Sequence, residues 1–151
     1  MTIKIAVVNE SKNHETRVAV VPEIAQKLAS NNVTFSIEKN SGSASGFLDS
    51  DYPEGACSFF DTHSEAIKDA DVLFKVNPPT SEEVGFMKKG ALAVSFMNPF
   101  QNGELIKNMA SSGIDAFSVE LVPRISRAQS MDALSSQASI AGYKAVILAA
   151  N

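Results

Sequence analysis

The stretch 91–97, Ala-Leu-Ala-Val-Ser-Phe-Met, is nearly continuous in apolar residues. A strand buried on both faces of a parallel sheet has this pattern. Upstream of it, Ser81 with Glu82 and Glu83 opens a short helix, where acidic residues suit the positive end of the dipole. Before that helix, Asp71 to Val76 reads as a strand stopped by Pro78-Pro79. Downstream, Asn102 to Ser111 reads as a helix with Gly113 as its stop, and Ile114 to Val119 as another strand.

The same alternation extends to the start of the chain. Ile3 to Val8 is β-branched and apolar, a short buried strand. Asn9 to Thr16 is polar and loop-like. Pro22 suits the first position of a helix running to about Ser30, because its missing N–H costs nothing there. Val33 to Ile37 is a further strand. Tyr52 to Cys57 and His63 to Asp69 are read as short helices. Five strands alternating with helices predict an α/β fold. The expected form is a parallel-sheet, Rossmann/flavodoxin-like, three-layer domain with helices on both faces. Ser41 to Gly46 is a Gly/Ser stretch without the G-x-G-x-x-G spacing and without a clear helix after it, so it predicts a flexible turn rather than a phosphate cradle.

Composition narrows the function. The chain has 151 residues, 44% hydrophobic, enough for one domain with a real core. A net charge of -4 with no lysine-arginine block argues against nucleic acid as a partner. Cys57 stands alone, which excludes an internal disulfide framework and suits a reducing compartment; it reads as a small half-buried apolar residue. No metal site is expected. No signal peptide is read at the N-terminus, and no apolar run reaches the roughly 18 residues of a membrane span, so a soluble chain is expected.

Chemistry concentrates in residues 123–136, Pro-Arg-Ile-Ser-Arg-Ala-Gln-Ser-Met-Asp-Ala-Leu-Ser-Ser. Two arginines, a glutamine, an aspartate and four serines fall within fourteen residues. Guanidinium groups suit phosphate or carboxylate, and a glutamine amide can grip an amide-bearing ring. A plainer reading stands beside this one: Arg124 or Arg127 pairs with Asp132, and Ser126 with Gln129 forms the S-x-x-Q capping box of a helix. Spacing alone leaves both open. Ala138 to Ala150 follows, with only Ser139 and Lys144 clearly polar. A helix apolar almost all round belongs inside something larger, so the natural chain is expected to continue past Asn151.

The run PRISRAQSMDALSSQASIAGYKAVILAA resembles the signature stretch of the alpha subunit of proton-translocating nicotinamide nucleotide transhydrogenase, in the wider family that includes alanine dehydrogenase. The likeness extends to the start of the chain. It implies a first α/β domain over residues 1–136 and a connecting helix over 137–151, leading towards a dinucleotide-binding domain. It implies hydride transfer between NAD(H) and NADP(H) coupled to proton translocation, with NAD(H) on this component and NADP(H) on a partner component. The implied setting is a peripheral component on the cytoplasmic side of the inner membrane. There it would be a homodimer working with membrane and NADP(H)-binding components. Carried onto this sequence, Gln129, Asp132 and Arg124 become the candidate catalytic residues, and Arg124, Ser126, Arg127, Gln129, Asp132 and Ser135 the cofactor-binding ones.

Two other functions remain in view. In alanine dehydrogenases, positions similar to Arg17 and Lys75 bind pyruvate, and the flanking ETRVAVVPE and LFKVNPP carry that match. Asn98 departs from it, lying where such an enzyme carries its catalytic histidine. Asparagine cannot exchange a proton near neutral pH, which disfavours an alanine dehydrogenase-like oxidoreductase. His14 and His63 both lie in polar stretches and are read as solvated. The remaining alternative is a non-enzymatic ligand-binding or dimerisation module using the 123–136 loop.

Overall fold

The computed structural model describes residues 2–11 and 14–150. Of the loop expected over Asn9 to Thr16, residues 12 and 13 lie outside those described, as does residue 151 after the expected C-terminal helix. The strands are β1 (Ile3–Val7), β2 (Val33–Glu38), β3 (Cys57–Phe60), β4 (Val72–Phe74), β5 (Leu92–Ser95) and β6 (Asp115–Ser118). The α-helices are α1 (Pro22–Ala29), α2 (His63–Ile67), α3 (Ser81–Phe86), α4 (Gly103–Ser112) and α5 (Ala133–Ala149). Every strand pairing is parallel, in the order β3-β2-β1-β4-β5-β6. The chain winds outward from β1 on one side and from β4 on the other. The crevice beyond the carboxyl ends of β1 and β4 is therefore the topological switch point, where open parallel sheets take ligands.

The period of two along β1 divides the core. Ala6 and Val8 join a cluster with Ile67, Leu73, Ala93, Met97 and Met109, covered by α2, α3 and α4. Ile5 and Val7 face the opposite way, into a cluster with Val20, Ala25, Phe35, Ile37 and Tyr52. Burial on both faces explains why β1 and β5 read as apolar runs. Pro22 sits at the start of α1, and Gly113 closes α4 at φ 69°, a left-handed position that suits glycine.

Several expectations needed correction. Among the described residues there are six strands, not five: Cys57–Phe60 forms an edge strand on β2, with Phe35 opposite Cys57. The helix expected over Tyr52 to Cys57 is absent. Tyr52 is extended (φ -80°, ψ 149°) as the residue before a proline must tend to be, and the 3-10 turn Asp49–Asp51 ends just before it. The Gly/Ser stretch is a packed turn. A side chain at Gly42 would lie 3.0 Å from Phe47 and the Tyr52 hydroxyl, and that hydroxyl donates to the Val20 carbonyl at 2.9 Å.

A further correction concerns the start of the last helix. The 123–136 stretch contains a 3-10 helix, Ser126–Met131, with no side-chain cap, so the Ser126/Gln129 capping box does not form. α5 begins at Ala133 rather than Ala138, capped by Asp132, whose carboxylate accepts from the Ser135 N–H at 2.9 Å and from its hydroxyl. An ionised carboxylate is the stronger acceptor, so it sets the boundary. No helix among the described residues is long and apolar enough to cross a membrane.

Candidate functional site

The switch-point crevice holds a cavity of about 390 Å³. Arg17, Val18 and Val21 wall it from the β1–α1 segment, Phe74 and Lys75 from the β4 exit, Phe96 from the β5 exit, and Ala133 and Gln137 from α5. Its two cations are already engaged. Lys75 does not snorkel to solvent: its ammonium sits between both Glu83 oxygens at 2.7 Å, and both side chains are buried. Glu83 has further work. Its carboxylate accepts from the Thr80 N–H at 2.7 Å while its own N–H reaches the Thr80 hydroxyl, a reciprocal cap on α3. The Arg17 guanidinium forks onto Glu15, with Nε and Nη2 each at 2.8 Å, and its Nη1 donates to Gln137 at 3.0 Å. The Arg17 hydrogen bonds draw the Glu15 carboxyl down to about 2.

Carboxylates also close the strand exits. The Val76 and Asn77 N–H groups beyond β4 donate to Glu10 at 2.7 and 2.8 Å. The Asn9 N–H beyond β1 donates to Glu38 at 2.7 Å. The Met97 and Asn98 N–H groups beyond β5 donate to Glu120. Burial pushes the Glu120 carboxyl up, but its own N–H, those of Asn98 and Met97, and Ser118 outweigh that and leave it lowered. Asn98 adopts a left-handed backbone, φ 46°, and lies outside the cavity linings. His63 is not simply solvated: its Nε2 stands 2.9 Å from Glu38 and 3.2 Å from the Asn9 carbonyl. His14 is exposed. The Cys57 thiol is half-buried, and burial pushes its pKa up to about 11, the plain apolar reading.

A second cavity, about 260 Å³, is formed by Arg124, Ile125, Ser126, Gln129, Asp132 and Ser135. Five of the six residues singled out in the sequence thus share one concavity, and Arg127 lies outside its lining. Buried Ala128 roots the 3-10 turn, leaving Gln129 and Ser126 exposed on it. Among the described residues neither arginine makes an ion pair with Asp132. The Ser135 hydroxyl and N–H, and then the nearby Arg124 charge, hold the Asp132 carboxyl below its ordinary range. At this size the cavity takes one ring and its substituents, below the roughly 300–1,000 Å³ of whole-ligand pockets.

Sequence reasoning missed Glu10, Glu15, Glu83, Glu120 and Gln137. Only Glu83 carried a local signal, the T-x-x-E spacing after Thr80. Arg17 and Gln137 meet across 120 positions, and no short pattern announces that.

A doubly wound α/β domain with concavities along its carboxyl edge has the arrangement in which open parallel sheets take ligands. More narrowly, the chain belongs to the family described as alanine dehydrogenase/PNT, N-terminal domain, whose profile matches residues 6–141. It is 40% identical to a polypeptide of NAD(P) transhydrogenase subunit alpha from Rickettsia prowazekii, over 96% of this chain and 39% of that protein. It is 42% identical to the NAD(P) transhydrogenase subunit alpha of Haemophilus influenzae, over 97% of this chain and 28% of that protein. The fold superposes on the crystal structure of transhydrogenase from Sinorhizobium meliloti with a TM-score of 0.90 and 41% identity, covering 97% of this chain and 44% of that one. The chain therefore spans less than half the length of these relatives.

Proposed function

We propose that this chain is the first domain, residues 1–136 with its connecting helix, of the NAD(H)-binding component of an NAD(P) transhydrogenase. One observation carries the reading: Arg124, Ser126, Gln129, Asp132 and Ser135 converge on a single open cavity, in a chain whose relatives bear that name. The donor set fits the nicotinamide end of NAD(H). A guanidinium, a primary amide and a hydroxyl match a carboxamide and ribose hydroxyls. This sequence holds no G-x-G-x-x-G turn of the kind that takes a pyrophosphate, and on this reading the rest of the dinucleotide site is placed on a further domain.

When bound, the cofactor supplies the hydride chemistry. Gln129 orients the carboxamide and so the face of the ring. Arg124 holds the carboxamide or the neighbouring phosphate. Asp132, fixed by Ser135, keeps the helix start and Arg124 in register. Arg127, off the cavity wall, has a peripheral role. Direct transfer between two nicotinamides needs no acid-base group, which is consistent with an asparagine at position 98. NADP(H) is placed on a partner component, alongside a membrane component. We place the assembly, with this component as a homodimer, on the cytoplasmic side of the inner membrane. The exposed apolar surface of α5 supports a covering partner.

The test is Gln129→Leu in the full-length protein. Stopped-flow hydride transfer falls about a hundredfold, while NADH affinity changes by less than about threefold, because misplacing a reacting ring costs rate rather than binding. Weakened binding with unchanged transfer overturns the role of Gln129.

A further inference from the structure

α5 is held unlike any other helix of the domain. None of its residues is buried, yet its first turn walls both cavities. Ala133 and Gln137, four apart on one face, line the switch-point cavity; Ser135 and its cap Asp132 line the other. Apolar packing therefore does little to fix the turn that presents Asp132 and Ser135. Among the described residues, and apart from the local Asp132 cap, one side-chain hydrogen bond ties α5 to the rest of the domain: Arg17 Nη1 to Gln137 Oε1, 3.0 Å.

The other end of that tie is firmly rooted. The Arg17 Nε and Nη2 are fixed by the two Glu15 oxygens. Glu15 also accepts from the Asn77 amide at 3.1 Å, and the same amide donates to Glu10 at 3.1 Å. Glu10 is buried and takes the Val76 and Asn77 N–H groups at the β4 exit. A continuous hydrogen-bonded path thus runs from the centre of the sheet through Glu10, Asn77, Glu15 and Arg17 to Gln137. The planar Arg17 guanidinium turns one edge to the sheet side and one donor to the helix, a division that a lysine ammonium cannot reproduce.

We propose that Arg17 is a positioning residue that acts through Gln137, setting the first turn of α5 and with it Asp132 and Ser135 of the second cavity. This rests on the functional reading above only for its effect on hydride transfer; the mechanical part stands alone. Among the described residues the Arg17 side chain donates to Glu15 and Gln137 and to none of residues 123–136. It fixes the helix from which that loop hangs.

The experiment compares Gln137→Leu, Gln137→Glu and Arg17→Lys in the full-length protein. Amide hydrogen exchange is read without nucleotide, and transfer kinetics with it. Gln137→Leu and Arg17→Lys speed exchange in residues 126–137 about fivefold, the loss expected for one partly exposed hydrogen bond, and leave β1 and β4 unchanged. Gln137→Glu keeps the acceptor and restores the slow exchange. In kinetics, Gln137→Leu lowers kcat for transfer with KM for NADH within about twofold, and Gln137→Glu recovers kcat. Unchanged exchange at 126–137 in Gln137→Leu, or faster exchange spread equally over the sheet, overturns the proposal. Localised, rescued exchange in a protein that does not bind NADH supports the tether and removes the transhydrogenase reading instead.

Discussion

The sheet edge and helix α5 are built by opposite means. At the carboxyl edge, charged side chains are buried: Lys75 and Glu10 are each 8% exposed and Glu83 2%, and each is satisfied by a partner or by backbone N–H groups. Along α5 the reverse holds, with Tyr143 73%, Val146 70% and Leu148 63% exposed. Polarity therefore does not tell inside from outside in these two regions, although it does in the apolar core. Buried charge at the edge fixes loop geometry, at the risk of a large loss when one partner goes. Exposed apolar surface on α5 contributes little to this domain's own stability.

The sharpest break in that contrast is Glu83→Ala. It strands the buried Lys75 ammonium and removes the carboxylate half of the reciprocal α3 cap, so chemical denaturation should show a loss of about 3–5 kcal/mol. Lys75→Met combined with Glu83→Leu should recover most of it, because two apolar groups need no partner. If Glu83→Ala costs nothing, the pair is not a buried one.

Next comes a matched pair of apolar truncations. Leu73→Ala, at a position 1% exposed in the core, should cost about 2–5 kcal/mol. Leu148→Ala on α5 should stay within about 0.5 kcal/mol in the same 151-residue chain. Equal losses would mean that α5 is packed in solution.

Smaller than either core change is the effect of acid. The Glu15 pKa is drawn down to about 2 by Arg17. Its contribution to stability is therefore complete above the ordinary value of 4.5 and is lost as pH falls from about 4.5 to about 2. Screening at this partly open site reduces it to the order of 1 kcal/mol. Glu15→Gln should flatten the acid limb of the stability curve in that window, and an unchanged slope would remove Arg17 as the cause.

Much of this was legible in the sequence. The apolar runs at Ile3–Val8 and Ala91–Met97, Pro22 at a helix start and Gly113 at a helix end all did what local chemistry requires. β3 was not legible, because an edge strand of four half-exposed residues has too little burial to impress a pattern. The capping box at Ser126 did not form, and Asp132, six residues further on, caps α5. Within the site, the donor-rich composition of 123–136 was visible at once. That five of its residues share a cavity and Arg127 does not depends on the pitch of a 3-10 turn, which spacing did not disclose.

By itself the sequence determined the alternation of elements, the parallel sheet and the residue types of the loop, because propensity, capping and burial act over a few neighbours. The tertiary structure alone decided which charges are satisfied and by whom. Glu10 meets the β4 exit, Lys75 meets Glu83 and Arg17 meets Gln137 only once the strands are ordered about the switch point. Those contacts are set by where strand ends fall in space, and separations of up to 120 residues leave no trace in any local window.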